Sequence, residues 1–260
     1  MDLDLTSKTA VVTGASRGIG LATVQALTAE GVRVMGAART ITPELKKTGA
    51  LTVSADLSTA DGVATLMDSA LTELGGIDLL VNNVGAGDDV EPVGFLDTDD
   101  TRWARVFDLN LFSAVRAARA ALPGLVERRG AIVNVSSINS RLPAAGPVAY
   151  SAAKAALAAL GKSLAEEFGP RGVRVNTVSP GVVRTSLWED PDGFGGKVAA
   201  GAGAEHGAFL RQIPEAFDIT TGRITEPREV AALIVFLLSD VAGNISGADY
   251  VIDGGTVKTL

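Results

Sequence analysis

Tyr150 and Lys154 stand four residues apart in the run Y-S-A-A-K-A-A-L-A-A-L, and Ser137 precedes the tyrosine by 13 positions. In a helix a separation of four puts two side chains on one face, so the lysine ammonium can lie beneath the phenol. A free tyrosine titrates near ~10 and is a poor acid or base at neutral pH, whereas a cation close by favours the phenolate. Lowering that value by roughly 2–3 units takes about 3–4 kcal/mol of differential interaction, within reach of a desolvated charge. The chemistry this spacing suits is general acid–base catalysis by a phenol.

Something must position the three groups. Ile132 to Val135 reads as a buried strand that delivers Ser136 and Ser137 to its carboxyl end. A loop with Pro143, Gly146 and Pro147 follows, and then an alanine-rich helix from Ala149 to Phe168. Upstream, the strand Thr9 to Val12 runs into T-G-A-S-R-G-I-G (Thr13 to Gly20) and a helical pattern through Glu30. Glycines there let the backbone approach a pyrophosphate, which would rest on amides and on the positive end of the helix. Val32 to Ala38 is the second strand. An acid at its end would bind an adenosine ribose and favour NAD(H). Ala38 holds that place, followed by Arg39, and Arg17 lies in the glycine turn, so two guanidiniums can converge on a 2′-phosphate. The expected cofactor is NADP(H) rather than NAD(H).

Further strands are expected at Leu51 to Ser54, Ile77 to Val81, Val173 to Val178 and Ala248 to Ile252, with helices at Ala60 to Leu74, Thr101 to about Leu122 and Glu226 to Leu238. Seven strands with helical crossovers make a doubly wound parallel α/β sheet in a single domain spanning 1–260. Residues 87–100 read as an acidic loop near the substrate entrance. Ser186 to Gly222 breaks periodicity, carries Trp188, Phe194, His206, Phe209 and Phe217, and is expected as an irregular lid over a largely apolar substrate.

A chain of 260 residues can bury a substantial single core. Its longest apolar run, Val230 to Leu238, is far short of the ~18–20 residues that span a bilayer. No cysteine is present, so disulfide and thiol chemistry are excluded, in keeping with a cytoplasmic protein. A net charge of −7 argues against non-specific nucleic-acid binding. His206 is the only histidine, which leaves no metal-ligand cluster and no motif for a Ser-His-Asp hydrolase.

The S-x12-Y-x3-K spacing of Ser137, Tyr150 and Lys154 resembles the short-chain dehydrogenases/reductases. So do the G-x3-G-x-G of Gly14, Gly18 and Gly20, the N-N-V-G of Asn82 to Gly85 (Val84 where the family has Ala), the P-G turn of Pro180-Gly181 and the closing D-G-G of Asp253 to Gly255. The likeness runs from Lys8 to Gly255. It implies a Rossmann-type fold and a catalytic set of Asn110, Ser137, Tyr150 and Lys154, with the Asn110 carbonyl holding a water in a proton relay to Lys154. It implies a cofactor site from Gly14, Ser16, Arg17, Gly18, Ile19, Gly20, Arg39, Asp56, Leu57, Asn83, Gly85, Tyr150, Lys154, Pro180, Gly181, Val182 and Thr185. In that site Val182 meets the carboxamide through its backbone and Thr185 through its hydroxyl. The activity implied is hydride transfer between NADP(H) and a ketone or secondary alcohol. The helices carrying Arg116, Arg119 and the alanines after Tyr150 would meet their mates in a homo-oligomer, a tetramer or a dimer. Two rivals stand beside this reading. One is a 3-oxoacyl carrier reductase greeted by Arg128, Arg129 and Arg171, and the other is a dinucleotide-binding regulator without chemistry.

Overall fold

Strands four to seven residues long alternate with helical stretches, and this alternation builds one sheet with helices on both faces. The computed structural model describes residues 2–85, 93–143 and 146–259. In chain order come β1 (Thr9–Thr13), α1 (Gly18–Ala29), β2 (Arg33–Ala38), α2 (Pro43–Lys47), β3 (Leu51–Ser54), α3 (Ala60–Leu74), β4 (Leu79–Asn82), α4 (Asp100–Phe107), α5 (Ser113–Arg128) and β5 (Ala131–Val135). They are followed by α6 (Val148–Phe168), β6 (Arg174–Pro180), α7 (Ser186–Glu189), α8 (Phe194–Gly201), α9 (His206–Ala216), α10 (Pro227–Leu238) and β7 (Asp249–Ile252). All seven strands are parallel, in the order β3-β2-β1-β4-β5-β6-β7.

β1, β4 and β5 are buried along their whole length, as continuous apolar strands of a two-sided parallel sheet must be. Successive residues serve opposite faces. Ala10, Val12, Val133 and Val135 join Val24, Leu27, Ile234 and Leu238 on the α1 and α10 side. Val11, Leu80 and Ile132 join Leu66, Ala117, Ala121 and Leu125 on the α3 and α5 side. The order reverses between β1 and β4, and a doubly wound sheet opens a crevice at the carboxyl ends of its strands there.

Three expectations need correction. Ser186 to Gly222 is not irregular but carries α7, α8 and α9. Its aromatics hid the periodicity because Trp188, Phe209 and Phe217 pack with Val182, Ile213, Ile219 and Ile224 into a small core of their own. The short helix α2, capped by Thr42 with Pro43 in its first turn, was not anticipated. The helix expected from Thr101 to Leu122 is interrupted at Asp108–Phe112 by one widened turn. The last helix matches its expected limits, closed at its start by reciprocal bonds between Glu226 and Glu229.

The amino edge of the sheet is tied by a polar cluster. Asp78 Oδ2 accepts hydrogen bonds from the Thr9 amide (2.8 Å) and the Thr9 hydroxyl (2.7 Å), and Oδ1 meets Arg128 Nη1 at 3.4 Å. Arg128 Nη2 also donates to the Gly75 carbonyl at the end of α3. Arg129 packs against Gly172, and Arg171 stacks on Phe168. These three arginines lie at the end of the sheet opposite the crevice and do not line it as the carrier-protein reading expects; Arg171 lines a separate groove beside Phe168.

Candidate active site

The end of β5 passes straight into the site. The Ser136 amide bonds the Val178 carbonyl, extending the sheet by one residue, and Ser136 Oγ donates to the Lys154 carbonyl at 2.9 Å. Strand end and helix α6 are thus fixed to each other. Ser137 follows in extended conformation as the cap of a short 3-10 turn, Ile138–Ser140. Its hydroxyl donates to Asn139 Oδ1 (3.1 Å) and accepts from the Asn139 amide (3.2 Å).

Tyr150 and Lys154 share a face of α6, with Lys154 Nζ 5.7 Å from the centroid of the phenol ring. Lys154 is 2% exposed, and its ammonium donates to the Val135 carbonyl at 2.9 Å. Burial pushes the ammonium down to about 8. Burial also pushes the phenol up to about 12, against the opposing effect of the Ser137 hydrogen bond. The direction at Tyr150 is the reverse of the sequence expectation. The lysine charge sits against the ring and a backbone carbonyl, and desolvation of the hydroxyl outweighs it.

Behind this pair lies Asn110, 2% exposed, in the widened turn Asp108–Phe112. Its Nδ2 donates to the Val106 carbonyl at 2.9 Å. A side chain built on Gly85 would come within 2.7 Å of Asn110 Oδ1 and 2.8 Å of Lys154 Nζ, so both groups close on the same glycine. Widened turns shift the helical hydrogen-bond register and recur at functional sites.

A cleft of about 850 Å³ runs from these residues across the carboxyl ends of the strands. Of the residues singled out from the sequence, it brings together Gly14, Ser16, Arg17, Gly18, Ile19, Arg39, Asp56, Leu57, Asn83, Gly85, Ser137, Tyr150, Lys154, Pro180, Gly181 and Thr185. Three fall outside its wall. Gly20 lies behind it in α1, where any side chain would sit 2.1 Å from the Gly14 carbonyl oxygen. Asn110 is the second layer just described. Val182 turns its side chain into the Ile213, Ile219 and Ile224 cluster, and its carbonyl accepts from the Thr225 amide; Val183 faces the cleft instead. The acidic loop expected at 87–100 lies outside the described residues as far as position 92.

The cleft fits a dinucleotide. Gly14 has φ +66°, and a side chain there would meet Asn83 Nδ2 at 2.9 Å and the Val84 backbone at 3.0 Å, so the turn is pressed onto the end of β4. Asn83 holds it there, donating from Nδ2 to the Thr13 carbonyl at 2.9 Å. The amino end of α1 has no side-chain cap and no acid in its first turn, leaving its amides and dipole to an anion. Arg17 and Arg39 line the far end with Asp56. Hydrogen bonds from the Ser58 hydroxyl and amide hold that carboxyl below the usual carboxylate range. Ser16 Oγ donates to the Thr40 carbonyl, and Thr42 Oγ1 to the Ser16 carbonyl (3.0 Å), tying the glycine turn to the loop after Arg39.

With seven parallel strands, a glycine turn at the switch point and Ser137, Tyr150 and Lys154 on one wall, the family model described as enoyl-(acyl carrier protein) reductase matches residues 14–257. The chain belongs to the short-chain dehydrogenase/reductase family. It is 34% identical over 265 residues to the 3-alpha-(or 20-beta)-hydroxysteroid dehydrogenase of Mycobacterium tuberculosis, covering 98% of this chain and 92% of that one. It is 37% identical over 256 residues to the cis-4-hydroxycyclohexanecarboxylate dehydrogenase of Sinomonas cyclohexanicum, covering 95% and 96%. The L-sorbose reductase of Gluconobacter frateurii, solved with NADPH and L-sorbose, superimposes with a TM-score of 0.91 at 32% identity, covering the whole of both chains. As a short-chain dehydrogenase/reductase the protein is an oxidoreductase with a Rossmann-type sheet. No helix among the described residues is long and apolar enough to cross a membrane.

Reading the sequence missed Asn139, which sits on Ser137, and, beside the expected Trp188 and Phe194, the cleft-lining Leu187, Asp190, Asp192 and Lys197. An amide two residues after a serine is the signal for a local side-chain turn and could have revealed the first. Nothing in one sequence says which side of a short helix faces a cleft. His206 is structural, its Nε2 lying 2.8 Å from the Trp188 carbonyl.

Proposed function

We propose that this short-chain dehydrogenase/reductase transfers a hydride between NADP(H) and the carbonyl or secondary alcohol carbon of a small molecule. The observation that carries the reading is that Ser137, Tyr150 and Lys154 share one cleft with the glycine turn, Arg17 and Arg39. When bound, NADP(H) supplies or takes up the hydride. Ser137 holds the substrate oxygen, and Tyr150 gives that oxygen a proton or removes one in the reverse direction. Lys154, fixed by Ser136 and Val135, orients the ribose and hands protons to Tyr150. Asn110 keeps the water that replenishes them. At neutral pH the phenol, pushed up by burial, is protonated and can give its proton to a carbonyl oxygen; the reverse direction needs it to be deprotonated.

The NADP(H) preference rests on Ala38, Arg39 and Arg17 at the adenosine end, and is in keeping with a structural neighbour solved with NADPH. The substrate wall combines Leu187, Trp188 and Phe194 with Asp190, Asp192 and Lys197, which suits a hydroxylated ring better than a purely apolar compound. Arg128, Arg129 and Arg171, from which the carrier-protein reading drew its basic patch, do not line the cleft. On the outer face, a groove of about 420 Å³ lined by Val115, Ala118, Leu122, Leu160, Leu164 and Phe168 between α5 and α6 supports a homo-oligomer.

The test is the loss of reduced-nicotinamide absorbance with NADPH and with NADH over a panel of steroid ketones, cyclohexanone carboxylates and ketoses. We expect NADPH-preferring turnover of at least one class. Tight NADPH binding with no turnover of any class would favour the regulator reading instead.

A further inference from the structure

Ser136 makes the last ladder bond of β5, from its amide to the Val178 carbonyl, and the chain then leaves the sheet. The turn that follows carries Ser137 and is closed from within. The Ser140 amide bonds the Ser137 carbonyl at 3.0 Å, and the Arg141 and Leu142 amides bond the Ile138 carbonyl at 2.9 and 2.8 Å. The Ser140 hydroxyl adds a second bond to the Ser137 carbonyl at 2.7 Å. These bonds give the turn its shape but do not fix where it sits. Ile138 is buried beneath it, and apolar burial is not directional. A directional tie to the sheet comes from Arg141. Its Nε and Nη2 both donate to Asp249 Oδ2, at 3.3 and 3.1 Å, and Nη2 also donates to the Asp249 carbonyl at 3.3 Å.

Asp249 opens β7, the edge strand of the sheet. Its other oxygen, Oδ1, accepts from the Ser179 hydroxyl at 2.7 Å, and Ser179 is fully buried near the end of β6. Directly after Ser179 come Pro180 and Gly181, which line the cleft, and the Gly181 amide bonds the Ile252 carbonyl of β7 at 3.0 Å. One carboxylate therefore joins the Ser137 turn, the end of β6 and the edge strand. With both of its oxygens engaged it has little freedom to swing, and a guanidinium bound to it through two nitrogens has little more. The side chains of Arg141 and Asp249 are 39% and 22% exposed, so the pair adds little to overall stability. What it supplies is geometry.

We propose that Arg141 is a positioning residue: by gripping Asp249 it fixes the turn of Ser137 against the Pro180-Gly181 end of β6, so that the group holding the substrate oxygen and the cofactor side of the cleft keep one spacing. Neither Arg141 nor Asp249 lines the cleft, so the arginine acts through Ser137. Its consequence for turnover rests on the hydride-transfer reading above, whereas the anchoring of the turn does not.

Amide deuterium exchange tests the anchor with neither cofactor nor substrate. In Arg141→Met the peptide covering 138–142 is expected to exchange about tenfold faster, while peptides from β5, β6 and α6 exchange as in the parent. With a ketone that the parent turns over, kcat is expected to fall about tenfold while the KM for NADPH and the melting temperature stay near those of the parent. Arg141→Lys, which keeps a donor for Asp249, is expected to recover most of that loss. Should the methionine variant fail to fold, Asp249→Asn keeps the shape, removes the charge and carries the same expectations at about threefold. Unchanged exchange at 138–142 in the folded variant overturns the proposal, and so does faster exchange with kcat unchanged. Faster exchange across β6 and β7 as well overturns it, because the pair then holds the sheet edge rather than the turn. A KM for NADPH that rises as kcat falls overturns it too, since the arginine then acts on the cofactor side and not on Ser137. If no ketone is turned over but exchange rises at 138–142 alone, the anchor stands and the functional reading is what fails.

Discussion

The two edges of the sheet handle buried polar groups in opposite ways. At the amino edge, Asp78 is surrounded by donors. Burial works against its charge, but hydrogen bonds from Thr9 and Arg128 outweigh that and hold the carboxyl below its usual range. At the carboxyl edge the balance reverses. Lys154 and Tyr150 are both displaced towards their neutral forms by desolvation, the first to about 8 and the second to about 12. The amino edge uses polarity to lock strands together, whereas the carboxyl edge disfavours the charged form of both groups, which brings Lys154 close to titration and keeps Tyr150 protonated.

Substitutions at the two edges should separate stability from chemistry. The largest effect belongs to Tyr150→Phe, expected to lower turnover by ~10²–10⁴-fold while NADPH binding and melting temperature stay near those of the parent. Retention of more than half the rate would remove Tyr150 from its role. Next is Asp78→Ala, expected to cost about 2–3 kcal/mol in urea unfolding with kcat per folded molecule unchanged. The stability that Asp78 contributes is present above the ordinary carboxylate range and is lost as pH falls through its depressed value.

Lys154→Met sharpens the contrast from the other side, since it should abolish turnover yet stabilise the fold by about 2 kcal/mol at neutral pH. Lys154 titrates near 8 when folded against 10.5 otherwise, so between those values the unfolded chain binds more protons. The parent therefore gains stability as pH rises through that window, and the advantage of the methionine variant should shrink across it. Denaturation midpoints at several pH values would check the slope. The smallest effect is expected for Arg39→Ala, a roughly tenfold rise in KM for NADPH with little change for NADH.

The sheet was legible because burial writes itself into strands. Thr9 to Val12 and Ile132 to Val135 are short, largely apolar and buried runs, and glycines or polar turns bound both of them. The helix that carries Tyr150 and Lys154 was legible because both residues are local to it. Long-range environment was not. That Tyr150 would titrate upwards depends on the burial that α4 helps to impose on it, and that Val182 would turn away from the cleft depends on Ile213, Ile219 and Ile224 from later in the chain. The 186–222 segment misled because its helices are short, rich in glycine and packed on one another, so no single face repeats long enough to be read.

The extra breadth of the turn at Asp108–Phe112 has a geometric result. Because one more residue is wound into that coil than a regular helix holds, α5 leaves it rotated relative to α4. One continuous rod can then press Val106 towards α6 and, further on, Ala117, Ala121 and Leu125 against the sheet beside α3. Deleting a single residue between 108 and 112 would straighten the rod and force it to choose between those two partners.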